Sequence, residues 1–153
     1  MHLIVLLIAI LLAGCSVNPV PSVPGSAAEA EEPGYAAEVR ELAKLNRSAE
    51  EFLKARKLDD AAAAITKGQP LATQLLAVPR PTLAAMEAAS DMENLYGKML
   101  LANKHYGWAR MLFQKNQARW THWRPQTGES DRRRKLAEDA IAECDRGIAK
   151  EGR

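Results

Sequence analysis

The chain has 153 residues, 47% of them hydrophobic, with 21 Lys and Arg against 19 Asp and Glu. A formal net charge of +2 excludes a protein that is polyanionic or polycationic as a whole, although the charges are unevenly placed. Beyond Tyr35, Val and Ile are sparse and no stretch alternates with period two, which excludes a sheet and leaves an all-α domain.

The first element is an apolar run of ten residues, 3–12. It is too short to span a bilayer, which takes roughly 20 residues. It fits a secretory apolar region of about 7–15 residues. The run ends in Leu12-Ala13-Gly14-Cys15, two small residues before a cysteine. This pattern resembles the lipobox of bacterial lipoproteins. The resemblance implies that residues 1–14 are a signal peptide removed before Cys15. It also implies that Cys15 is the lipidation site, carrying a diacylglycerol on its thiol and a further acyl chain, such as palmitate, on its new amine. Two acyl chains already anchor a protein stably. Met1-His2 departs from the usual leader, because no Lys or Arg precedes the apolar run. Ser16, rather than Asp, follows the cysteine. In two-membrane bacteria that resembles an outer-membrane address, with the protein facing the periplasm.

Residues 15–34 read as a tether. Pro19, Pro21, Pro24 and Pro33, with Gly25 and Gly34, give a segment that cannot bury a core. Residues 35–153 are long enough for one domain with a modest core.

The periodicity predicts a helix over 35–57, with Tyr35, Val39, Leu42, Ala49, Phe52 and Leu53 on one stripe. A second follows the Asp59 or Asp60 cap and ends at Gly68, with a short helix from Pro70 to Ala77. Pro79-Arg80-Pro81 breaks the chain, and Thr82 caps a helix to about Asn103. Another runs from Tyr106 or Gly107 to Trp123, before Pro125. The last covers 129–150, with Leu136, Ala140, Ile141, Cys144 and Ile148 on its apolar face. Its cap is either Ser130 or Thr127. A Ser130 cap sets Arg132, Arg133, Arg134 and Lys135 against the helix dipole, whereas a Thr127 cap puts Glu129 and Asp131 in the first turn.

Two segments match at an offset of 48 residues. Ala49, Phe52, Leu58, Ala61 and Ile65 correspond to Gly97, Leu100, Tyr106, Ala109 and Phe113. Asn46 corresponds to Asn94, and Arg56 to Lys104. Small residues let two helices approach, large ones fill between them, and Leu58 or Tyr106 plugs the turn. The spacing resembles the tetratricopeptide repeat, over 42–68 and 90–116. It departs in its period, which is 34 in that family, in Asn116 where a small residue is usual, and in a missing closing proline. The resemblance implies antiparallel helical hairpins, with the 129–150 helix as a C-terminal cap. It also implies a partner-binding groove on the first helix of each pair. Carried over, Asn46 and Glu50 come from the first copy, and Asn94, Lys98 and Leu101 from the second.

Residues 98–135 hold ten basic and two acidic residues. Tyr106, Trp108, Phe113, Trp120 and Trp123 lie among them, with Tyr96 just before. Arg134–Glu138 and Lys135–Asp139 are spaced as helical ion pairs. Arg132 and Arg133 remain as possible anion contacts. Phe113 and Trp120, seven apart on the stripe of Ala109, read as core, so no nucleic acid is expected as a partner. Cys144 reads as a buried structural thiol. No residue set has metal-ligand spacing, no phosphate loop is present, and no cofactor is implied. Glu129-Ser130 is similar to the catalytic dipeptide of lytic transglycosylases, but that family's Gly-Leu-Met-Gln motif is absent. The sequence thus points to a non-enzymatic, membrane-anchored envelope lipoprotein that scaffolds another envelope protein. The alternatives are a binder of anionic cell-wall or lipid polymer through 98–135, and a glycan-cleaving enzyme.

Overall fold

A computed structural model describes residues 33–152. Cys15, the 1–14 segment and most of the tether lie outside the described residues. The described chain is all-helical: α1 (Pro33–Lys54), α2 (Leu58–Leu76), α3 (Leu83–Ala102), α4 (Tyr106–His122) and α5 (Gly128–Glu151). Consecutive helices pack together, and α1 also packs on α3.

The caps follow from local chemistry. Thr82 Oγ1 accepts the Ala85 amide at 3.2 Å and starts α3. Thr127, not Ser130, caps α5. Its hydroxyl accepts the Ser130 amide, and Ser130 Oγ accepts the Thr127 amide in return. Glu129 and Asp131 therefore occupy the positive end of the helix, and the four following cations do not.

The two turns matched at an offset of 48 share one backbone geometry. Arg56 and Lys104 both take left-handed φ, 58° and 62°. Lys57 N–H donates to the Phe52 carbonyl and Arg56 N–H to that of Leu53. His105 and Lys104 repeat this with Leu100 and Leu101. Each is a Schellman closure with a side-chain-bearing residue where glycine is usual.

One core cluster joins α1, α2 and α3 around Leu42, Ile65, Leu75 and Met92. A second joins α4 and α5 around Ala109, Phe113 and Cys144. Cys144 is a free, buried thiol, and burial raises its pKa.

Three local readings are corrected. Gly68 does not end α2. The helix continues through Pro70 to Leu76, so there is no separate short helix. A Cβ on Gly68 would run into Met92 and touch Leu42, so the glycine marks a helix crossing. Packing across α1 and α3 outweighs the local tendency of Gly and Pro to stop a helix. Leu58 is 56% exposed and plugs nothing, whereas Tyr106 lies against Gly147 of α5. Leu136 and Ile148 are also exposed. The buried face of α5 is made by Ala137, Cys144 and Gly147, because small residues let α4 approach.

Candidate functional site: a concavity between α1, α3 and α5

Alternate helices face one open concavity of about 570 Å³, lined by α1, α3 and α5 and by Asn116 of α4. Arg40, Ala43, Asn46, Arg47 and Glu50 come from α1, where they recur every three or four residues and share a face. Glu87, Asp91, Asn94 and Lys98 come from α3 by the same periodicity, and Arg132, Arg133 and Leu136 from α5. Asn46, Glu50, Asn94 and Lys98 are thus brought together. Leu101 is not: it is half-buried against the Ala109–Phe113–Cys144 cluster. It follows Lys98 by one turn, but α3 has rotated it toward α4 and α5.

Asn46 and Asn94 match in sequence but not in environment. Asn46 is 8% exposed, and its Nδ2 donates to the Ala88 carbonyl at 2.8 Å, tying α1 to α3. Its Oδ1 is buried without a hydrogen-bond partner. Asn46 is therefore a helix-to-helix tie, with one of its two amide donors committed to α3. Asn94 is half-buried and lines the concavity.

Arg132 and Arg133 have internal partners. Arg133 donates to Asp91 Oδ1 at 2.6 Å and to Glu129 Oε1 at 2.7 Å, and its guanidinium lies 5.3 Å from the centre of the Trp120 ring. Burial alone would lower the Arg133 pKa, but Asp91 and Glu129 more than offset it and raise it. Arg133 fastens α5 to α3. Arg132 makes two hydrogen bonds to Glu129 and remains exposed. The hydrogen bond from Arg132, reinforced by Arg133, holds the Glu129 carboxyl down at about 2. A general acid needs the opposite shift. Ser130 is 1% exposed and committed to the cap. Glu129-Ser130 is an element of helix capping and ion pairing.

A buried polar network joins α3 to α4. Ser90 Oγ donates to Asn116 Oδ1 at 2.9 Å and accepts from Trp120 Nε1 at 2.8 Å. Asn116 Nδ2 donates back to the Ser90 carbonyl at 3.1 Å. Asn116, which departs from the repeat pattern, is retained by this pairing. Nearby, Glu93 accepts from Lys115 and Arg119, both at 2.6 Å. Phe113 and Trp120 are core, so the basic segment does not offer them for stacking.

Sequence reasoning missed Arg40 and Arg47. The available signal was their seven-residue spacing, two turns of α1, with Ala43 between them on the same face. Among the described residues, no group of three or more His, Cys, Asp or Glu could hold a metal ion, and no helix is long and apolar enough to cross a membrane. No protein-family model, curated protein or solved structure matches the chain significantly.

Proposed function

We propose that the protein is a non-enzymatic scaffold of the cell envelope, held to the outer membrane through lipidated Cys15 and binding another envelope protein in its concavity. The anchor rests on Leu12-Ala13-Gly14-Cys15 and its resemblance to the lipobox. The observation that carries the binding reading is the gathering of polar residues from α1, α3 and α5 around one open concavity. Residues 33–152 act as a pair of tetratricopeptide-like hairpins closed by α5. The two Schellman turns at an offset of 48 support this repeat. The internal pairing of Arg132 and Arg133 disfavours the reading as a polymer binder through 98–135.

A photo-crosslinker at Asn94, inside the concavity, and another at exposed Thr66 of α2, test this in intact cells. The expected result is a discrete protein adduct from position 94 and none from 66. Adducts from 66 alone would refute the groove. Intact mass of the membrane-extracted protein tests the anchor. A chain that keeps residues 1–14 and lacks acyl mass would refute it.

A further inference from the structure

We propose that the concavity recognises an acidic polypeptide segment, whose carboxylates meet Arg40 and Arg47 on the α1 wall and Lys98 on α3. The proposal rests on the groove reading above and specifies its ligand. The lining holds five cations and three carboxylates. Two carboxylates are already engaged: Asp91 with Arg133 at 2.6 Å, and Glu50 with Lys54 at 2.9 Å. Arg132 and Arg133 are engaged likewise, with Glu129. Arg40, Arg47 and Lys98 are exposed and form no ion pair within 4.0 Å among the described residues. Glu87 is the one lining carboxylate with no ion pair among the described residues. A cationic excess therefore faces the cavity.

The spacing favours an extended chain. Arg40 and Arg47 are seven residues apart, or about 10.5 Å along a helix rising 1.5 Å per residue. In a polyproline II chain, which turns once every three residues, side chains three apart share a face and lie about 9 Å apart. Acidic side chains at every third position thus keep step with the arginine pair. Ala43, between the arginines, and Ala84 across the groove leave room for a backbone. Asn94, half-buried on the same lining, has both a donor and an acceptor for that backbone.

The test measures binding of the full chain to short fluorescein-labelled peptides by anisotropy. One peptide has Glu at every third position, and its counterparts have Gln or Lys there. The Glu peptide should bind, the Gln peptide about tenfold more weakly, and the Lys peptide not at all. Arg40→Gln with Arg47→Gln should weaken the Glu peptide about tenfold, as expected for two exposed ion pairs. Lys67→Gln, at an exposed cation of α2 outside the concavity, should change it less than about twofold. Ala84→Trp, which fills the groove from an exposed position, should abolish binding. Equal binding of Glu and Gln peptides, blocked by Ala84→Trp, would overturn the acidic preference and leave the groove reading standing. Binding that survives Ala84→Trp would overturn both. No binding by any peptide, or binding of dextran sulfate in place of the Glu peptide, would overturn the proposal.

Discussion

Gly97 and Gly107 give a direct test of how the fold is packed, because one substitution should act with opposite sign at the two sites. Both lie in helices, in α3 and α4. In a helix interior, Gly→Ala gains up to about 1 kcal/mol from reduced backbone freedom in the unfolded chain. Gly107 lies in the first turn of α4 with nothing within 4 Å of an added Cβ, so a smaller part of that gain applies there unopposed. At Gly97 an added Cβ falls 2.7 Å from two ring carbons of Phe113. Phe113 is 1% exposed and closes the core between α4 and α5, so its ring cannot swing away. Overpacking of that kind costs about 1–3 kcal/mol. Gly107→Ala should therefore raise the melting temperature and Gly97→Ala should lower it, with a gap of about 1–3 kcal/mol. In a domain of this size each kcal/mol shifts Tm by roughly 4 °C. Gly97→Leu should fall further. Urea and thermal unfolding followed by circular dichroism read these values. Shortening the ring, in Gly97→Ala with Phe113→Leu, should show favourable coupling in a double-mutant cycle. Equal gains at positions 97 and 107 would refute the close approach of α3 and α4.

The two turns predict a stabilisation. Arg56→Gly or Lys104→Gly relieves a left-handed side-chain-bearing residue and should raise stability by about 1 kcal/mol, read as a higher urea midpoint with an unchanged slope. Arg133→Ala should cost about 1–3 kcal/mol, because Asp91, Glu129 and the Trp120 face all lose their partner, whereas exposed Arg132→Ala should cost less than about 1. Glu129 is held down at about 2 in the folded protein, below its ordinary value of 4.5. The folded state therefore binds the proton less readily than the unfolded state. The stability that Glu129 contributes is fully present above pH 4.5 and is lost as pH falls toward 2. Glu129→Gln should flatten that acid limb, and an unchanged limb would show that the ion pairs do not act in solution.

The helix order and the ends of α3, α4 and α5 were legible in the sequence, because those features are local. The bounds of α2 were not, since it starts at Leu58 after Lys57, with no Asp59 or Asp60 cap, and absorbs the short helix expected from Pro70. Thr82 caps through its own hydroxyl, and Pro79-Arg80-Pro81 and Pro125 lie between helices, although Pro70 is carried inside α2. The offset of 48 was also legible, since small residues and turn positions recur along the chain. Spacing alone put Asn46 with Glu50 on one face of a helix and Asn94 with Lys98 on one face of another. Only the resemblance to the tetratricopeptide repeat joined the two faces, and it added Leu101, which the concavity leaves out. What lay beyond reach was anything set by a neighbour distant in the chain. Gly68 looks like a helix end until Met92 of α3 crosses it. Asn46 looks like a free amide until its donor is found on Ala88, 42 residues away. Arg133 looks like a spare cation until α5 folds back and sets it between Asp91 and Trp120. A helical period specifies which residues share a face, but the partner that face meets depends on how the helices cross. That is decided by the summed packing of all five helices, which no local stretch of sequence contains.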